Sequence, residues 1–559
     1  MSPHLRHALL SPGVAAALLG LLGTPALHSQ TTTRVTVSNG GAQGDATSGD
    51  PVISSDARYV FFYSSATNLV TGDTNLVRDV FVRDLQTSST QRVSVSSGGA
   101  EGNALSSGPA ISPDGRYVAF YSDATNLVAG DTNLVRDAFL RDRQTGTTTR
   151  VSVSTGGVQG DALSSEPVVS ADGRFVAFYS SATNLVPGDN NLLRDVFVRD
   201  LQTSTTTRVS VSTGGAEGNA LSSGPKISAD GRYVAFYSDA TNLVPGDNDL
   251  VRDVFVRDLQ LNTTTRVSVT SAGGEGNAAS SGPAVSSDGR YIAFYSNADN
   301  LVPGDTNLFR DTFVRDTQAG TTTRVSVSTA GAQGNDLSSD PTISATGRYV
   351  VFYSDATNLV LGDTNLFRDV FVRDRQANKT RRLSVATGGT QGNELSSLGE
   401  GLVITPDGRY VVFYSDASNL VGGDSNLARD GFLRDTSPWT DLGGPLAGVN
   451  GDPLLVGAGS MVAGDTGSLS LSSAAPSSLA ALFVSFTSTP VPLKGGVLQA
   501  FPTSLQVNLF TNGAGSLTLP FVTPSGIPSG LNIYFQFLIP DAAAIHGVAF
   551  SNAVKALVP

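Results

Sequence analysis

The chain has 559 residues, no cysteine, four histidines and a formal net charge of −12 at pH 7. Without cysteine there is no disulfide framework, so the fold must be held by core packing. The acidic balance argues against nucleic acid as a partner, because phosphate binding needs clustered Lys and Arg and the only lysines are Lys226, Lys379, Lys494 and Lys555.

The N-terminus reads as a secretory signal peptide over residues 1–29. Arg6 precedes an apolar run from Ala8 to Leu22, and small and polar residues follow, with cleavage expected between Ala26 and Gln30. No later segment reaches ~18 consecutive apolar residues, so no membrane span is expected. No cysteine follows the apolar run, which excludes a lipoprotein anchor there. The predicted product is exported to the periplasm, the cell surface or beyond.

From residue 30 the chain repeats itself. One arginine recurs at Arg58, Arg116, Arg174, Arg232, Arg290, Arg348 and Arg409, at intervals of 58 residues except for a last one of 61. A second arginine recurs at Arg34, Arg92, Arg150, Arg208, Arg266, Arg324 and Arg382. Periods of this size mean a solenoid, a propeller or an array. In the copy starting at Ser107, four runs rich in β-branched and aromatic residues predict strands at Pro109–Ser112, Arg116–Ser122, Arg136–Arg141 and Thr147–Ser154. Asp114-Gly115 marks a hairpin turn between the first two. The second run, Tyr117 to Tyr121, is apolar without alternation, as in a strand covered on both faces.

Four short antiparallel strands repeated seven times predict a β-propeller. The array opens with a lone fourth strand, Thr31–Ser38, and ends on a third strand, Asp430–Asp435. The N-terminal strand is therefore expected to complete the seventh blade and close the ring, which hides an exposed edge. The fold class is all-β: a seven-bladed propeller over 30–436, a linker over 437–444 and a small β-sandwich over 445–559.

The repeated S-x-D-G-R-Y-V-A-F segments resemble the TolB-like, WD-repeat-like propeller repeats of exported bacterial proteins, over residues 31–436. The resemblance implies a binding platform. TolB itself carries an additional N-terminal domain with no counterpart here, so its specific partner is not carried over. Two copies depart from the hairpin signal, with Asp56-Ala57 in the first and Thr346-Gly347 in the sixth.

Strand direction puts the connections before the first strand and after the second on one side. Those are the long loops, and function concentrates on long loops held by a rigid scaffold. This long-loop face is also acidic, carrying Glu101, Asp131, Glu217 and Asp247.

Its G-D-[TNS]-[ND]-L-x-R-D motif places oxygen-bearing side chains at alternate positions, as calcium loops do. The candidate ligands are Asp73, Asn75 and Asp79; Asp131, Asn133 and Asp137; Asp189, Asn191 and Asp195; Asp247, Asp249 and Asp253; Asp305, Asn307 and Asp311; Asp363, Asn365 and Asp369; and Asp424, Asn426 and Asp430. Each loop supplies only about three of the 6–8 oxygens that Ca²⁺ takes. Resembling repeats carry Gly at the position of Leu76 and Leu134. The alternative is that these residues form Asx-turns and cap the third strand. The V-R-D pairs of the third strand (Arg83-Asp84, Arg141-Asp142, Arg199-Asp200) read either as an anion-binding ring or, the favoured reading because each Arg is followed by its own acid, as ion-pair networks between neighbouring elements.

Catalysis on histidine is excluded from the propeller. His4, His7 and His28 fall in or beside the signal segment, and His546 lies near the C-terminus. No G-x-S-x-G elbow occurs. Acids recur in every blade and none shows a distinctive pair, so the expectation is a non-catalytic, monomeric binding protein or scaffold for protein or glycan. The alternative is a carbohydrate-active hydrolase or lyase using carboxylates alone; a third reading is an inert spacer in a surface layer.

Beyond Asp435 composition shifts: from Asp441 onward the only charges are Asp441, Asp452, Asp465, Lys494, Asp541 and Lys555. Strands are predicted at Ser468–Leu471, Ala481–Phe486, Leu505–Phe510, Ser516–Val522, Asn532–Ile539 and Val548–Val554, the spacing of a β-sandwich. The segments LFVSF, IYFQFLIPDAA and SNAVKALVP resemble a module at the C-terminus of exported bacterial proteins. Surface attachment and export sorting are both open for it.

Overall fold

A computed structural model describes residues 30–559 apart from 248–249, 398–400, 438, 443–444, 460, 462–463, 495, 529, 543, 545–546 and 559. The signal segment and His546 lie outside the described residues. Two compact units are formed, one of them Thr32–Asp435 and the other containing Thr436–Pro559.

The first unit is seven four-stranded antiparallel sheets. Blade one consists of Ser48–Ile53, Tyr59–Ser64, Asp79–Asp84 and Ser89–Arg92, and blades two to six repeat this pattern. Blade seven is built from Val403–Ile404, Tyr410–Ser415 and Asp430–Asp435, with Thr32–Arg34 as its fourth strand. The N-terminal strand thus closes the ring as expected. First strands of successive blades touch one another in turn, and that of blade one touches that of blade seven.

The blades pack face to face because their middle strands are apolar on both sides. Val60, Phe61 and Phe62 have no exposure at all, nor do Val80 and Phe81. Within each blade one Phe of the second strand stacks on one of the third, as Phe120 does on Phe139 at 5.8 Å between ring centroids.

A repeated tie crosses every blade interface. The fourth-strand threonine hydroxyl donates to the backbone carbonyl of the preceding blade, as in Thr90 to Val37 (2.6 Å) and Thr148 to Val95 (2.6 Å). The ring-closing copy is Thr32 to Val385, at 2.5 Å. The third-strand arginine supports this threonine. Arg83 Nη1 donates to Thr90 Oγ1 and to the Ser38 carbonyl, and Arg434 donates to Thr32.

The V-R-D residues take the structural role expected of them, with partners on neighbouring elements. Adjacent strand residues point to opposite faces, so Arg83 does not meet Asp84. Asp84 is instead gripped by Arg58 Nε and Nη2 at 3.2 and 2.9 Å, and the same fork joins Arg116 to Asp142 and Arg174 to Asp200. Both arginine series have structural partners within the propeller.

The second unit is a sandwich. A sheet ordered Trp439–Asp441, Val554–Leu557, Asn532–Pro540, Leu479–Ser485, Leu505–Phe510, with Val548–Phe550 beside the long strand, shares a core with a sheet of Leu454–Ala458, Thr466–Ser472 and Leu517–Val522. Two corrections follow. The segment expected as a linker contains a strand, since Trp439–Asp441 pairs with Val554–Ala556. The last expected strand is split in two at Ser551–Ala553.

Backbone strain is concentrated in the propeller at non-glycine residues with positive φ. Ala57 has φ 57° where the other blades place Gly, for example Gly115 at 67°. Leu76, Leu134, Leu192, Leu308, Leu366 and Leu427 lie between 54° and 60°. The corresponding loop residue of blade four is Leu250. Asp50, Glu166 and Asp340 lie between 43° and 48°. Each costs on the order of 1–2 kcal/mol relative to glycine. Ala57→Gly is expected to raise the melting temperature by relieving about 1 kcal/mol, measured by calorimetry on the mature chain; an unchanged or lower value would contradict that account of the turn.

Candidate functional site

The long-loop face carries two constructions, one in every blade and one only at the centre. In the first, the fourth-strand arginine turns into the loop that follows the second strand. Arg92 lies 3.0 Å from Asp73 and 3.3 Å from Asp79, and also pairs with Glu101. The same clasp recurs as Arg150 with Asp131 and Asp137, Arg208 with Asp189 and Asp195, Arg266 with Asp247 and Asp253, Arg324 with Asp305 and Asp311, Arg382 with Asp363 and Asp369, and Arg34 with Asp424 and Asp430. These side chains are almost wholly buried.

The structure thus gathers the calcium candidates of each blade around a guanidinium. Asn75 Oδ1 accepts the Val77 N–H at 3.1 Å, an Asx-turn, while its Nδ2 donates to Asp79 Oδ2 at 2.9 Å. Asn133, Asn191, Asn307, Asn365 and Asn426 make the same two contacts. Asp79 Oδ1 accepts from Ser94. The third-strand aspartate and the asparagine are thus hydrogen-bonded, and the first aspartate of each loop is ion-paired to the arginine, although buried oxygens such as Asp305 Oδ2 accept no hydrogen bond. Asp249 lies outside the described residues. In blade four the ligand atoms of Asp247, Asp253 and Glu275 lie within 4.8 Å of one another, around Arg266.

Two buried aspartates face one arginine, so the clasp is short of positive charge. Burial pushes the carboxyls of Asp189 and Asp363 up to about 6 despite their arginines. The turn aspartates behave oppositely, since the Arg58 fork and two backbone N–H groups hold Asp84 down to about 2.

The second construction surrounds the channel. First strands line a central cavity of about 370 Å³, bounded by residues such as Val52, Ala110, Val168, Ala284 and Val403. Each of the first six first strands has a register shift at an X-Pro step, for example between Ser165 and Val168. Proline suits this edge because it lacks a donor. The residue X sits at the mouth on the long-loop side, close to the tyrosine ending the second strand. In blades two, four and five X is Gly108, Gly224 or Gly282, where an added Cβ would approach Tyr121, Tyr237 or Tyr295 within 2.6 Å. In blades one, three and six X is Asp50, Glu166 or Asp340, held at the positive φ described above. The extra residues of the 61-residue interval precede Gly401, which takes this position in blade seven.

Outside the tyrosines stands a ring of arginines. Arg78 stacks on Tyr63 with 4.1 Å to the ring centroid, and the other six blades repeat the pair at 4.3–4.7 Å. Four are held by an aspartate thirteen residues earlier, Arg136 by Asp123, Arg252 by Asp239, Arg368 by Asp355 and Arg429 by Asp416, at 2.7–2.9 Å. Blades one, three and five have Ser65, Ser181 and Asn297 instead. Burial raises the Tyr63 and Tyr179 phenols, and the adjacent Asp50 and Glu166 raise them further.

The rim thus carries seven arginines and four aspartates, with three further acids at the mouth; blade six has both kinds of acid and blade five neither. One side of the mouth forms a polar recess of about 190 Å³ containing Glu166, Lys226, Tyr237, Arg252, Tyr295 and Asp340. Glu166 and Asp340 do not stand out as a pair in the sequence because they belong to blades three and six, and only ring closure brings them to one recess. The available signal was the residue before each first-strand proline.

The surplus acid of the clasps fixes a pH dependence. A carboxyl raised in the folded state binds more protons than in the unfolded chain, so stability falls as pH rises from its unfolded value to its folded one. The depressed turn aspartates lose their contribution on acidification. Melting temperature is expected to rise as pH is lowered from about 7 to about 4 and to drop below about 3. If the arginine holds each clasp without metal, adding Ca²⁺ after EDTA is expected to leave the native chain's melting temperature unchanged, and a rise of several degrees would make the loops metal sites. Arg266→Ala lowers stability by about 3 kcal/mol and makes it rise with Ca²⁺, because three carboxylates lose their cation.

No family model matches the chain, and no curated protein matches it. Among solved structures it is similar to a putative TolB from Agrobacterium tumefaciens, at 18% identity over 63% of this chain and 95% of that one, with a TM-score of 0.34. It is also similar to a xyloglucanase from Xanthomonas campestris (11% identity, 79% and 59% coverage, TM-score 0.39) and to the WD40 repeats of RRP9 (9%, 74% and 99%, 0.36). The chain spans under two thirds of the xyloglucanase. The closed ring of seven four-stranded blades is the ground for reading this chain as a seven-bladed β-propeller.

Proposed function

We propose that the protein is an exported, non-catalytic binding platform whose long-loop face engages an envelope protein or glycan at the channel mouth. The observation carrying this reading is the break in sevenfold symmetry at the mouth. Three blades replace a glycine by an acid at a backbone conformation that disfavours any side chain, and strain of this kind collects at binding sites. The recess they border combines carboxylates, Lys226 and tyrosines, the mixture that orients a polar ligand of sugar or short-peptide size. Export rests on the N-terminal segment.

A second reading is favoured by one specific feature, the presence of Glu166 and Asp340 in the same recess. A carboxylate pair is the equipment of a glycan hydrolase. Glycan-array binding with no release of product supports the platform, and turnover of a polysaccharide supports the enzyme.

Glu166→Gly and Asp340→Gly adopt the glycine that other blades already have, so they test the site without endangering the fold. Each is expected to keep or raise the melting temperature and to weaken glycan or peptide binding at least about tenfold, or about 1.4 kcal/mol. Unchanged affinity in both would overturn the mouth as the site.

A further inference from the structure

We infer that the ring of loop leucines is a docking surface for a phospholipid bilayer with zwitterionic headgroups. Leu76 and its six counterparts are 77–88% exposed. Every blade thus presents one apolar finger on the long-loop face. Six are recorded in the left-handed region, where glycine or asparagine would be the easier residue. Water gives no reason to expose an apolar side chain, and the backbone gives no reason to place leucine there. Both penalties fall on the same residue in blade after blade, so fold stability does not account for it.

The apolar character extends beyond the fingertip. Each leucine is followed by another apolar residue, and in blades five and six this is the exposed Phe309 or Phe367. Leu361 of blade six is fully exposed as well. The ring is therefore heaviest on one side.

The spacing and charge favour a bilayer over a second protein surface. The fingers are separated by polar loop residues, of which the glycine and the residue after the aspartate, Gly72 and Thr74 in blade one, are exposed and would have to be desolvated by a rigid partner. At a membrane interface those residues stay in the hydrated headgroup layer while the leucines reach the acyl boundary. The aspartates at the foot of each finger are buried and paired with arginine, and the net charge of −12 disfavours an anionic surface. A second copy would set this acidic face, with its partly exposed Glu101, Glu217 and Glu275, against itself.

The inference rests on the long-loop face being the working face, and it adds the surface over which the channel mouth is held. The test is flotation of the mature chain with vesicles of phosphatidylcholine and phosphatidylethanolamine. The variant replaces all seven leucines by Gly, which removes the fingers and relieves the backbone, so its melting temperature should equal or exceed the parent's. The parent is expected to float with the vesicles in low and high salt, and the variant to partition at least tenfold less. Failure of the parent to bind, or equal binding by the variant, overturns the inference. So does sedimentation showing a parent oligomer that the variant abolishes, since the ring would then serve self-association. Glycan or peptide binding at the mouth is measured on the same variant; its retention there separates the fate of this inference from that of the channel site.

Discussion

Everything in the propeller depends on the ring meeting itself. Seven separate sheets have no hydrogen-bonded ladder joining them, so the cylinder is held by face packing of apolar strands and by single hydrogen bonds repeated at each interface. Among them are the threonine tie and a bond from the first-strand serine N–H to the arginine carbonyl of the preceding blade, as in Ser106 to Arg78. A single unmatched interface would expose two apolar sheet faces. The N-terminal strand prevents this by lying beside Asp430–Asp435 and reaching back through Thr32 to blade six, so closure links the two ends of the array. Without closure there is no channel, no common face for the loops and no mouth.

Charge is used in that frame as an internal fastener. The arginines that recur through the repeat each reach a partner set by strand geometry: one series forks the turn aspartates, another supports the interface threonines, and a third fills the long loops. A guanidinium can bridge several carboxylates because its donors form a planar fork. This is why a motif spaced like a calcium loop folds around a side chain of its own repeat. The loops are thereby stiff, and what they display at their tips is presented in a fixed place.

Local rules are broken in three kinds of place. On the short-turn side Ala57 and the third-to-fourth-strand turn residues Ser88, Ser204, Asn262 and Asn378 stand at positive φ where other blades have glycine. The mouth acids and the leucines are departures on the long-loop side, where a side chain occupies a backbone conformation suited to glycine. What distinguishes the long-loop side is that its departing side chains are acids at the mouth and exposed leucines at the loops, the features on which the proposed binding surface rests. A mouth held over a lipid surface would sample what is attached to that surface, so the two constructions are compatible in one molecule.

Blade number, strand order and the ring-closing strand were legible from the period, because each repeat states its own secondary structure seven times and the end fragments are complementary. The acidic long-loop face was legible from strand direction alone. The structural role of Arg83 and Asp84 was legible, but their separate partners were not, because neighbours in sequence lie on opposite faces of a strand. The role of Arg92 was missed because its partners lie about ten and twenty residues away, across the blade. Trp439–Asp441 was taken as linker since its pairing strand is at the other end of the module. The sequence by itself determined the blade and its repetition, through local propensity and pattern. Tertiary structure alone decided which charges meet and that acids from blades three and six share one recess, because closing a ring brings together residues whose separation along the chain carries no local signal.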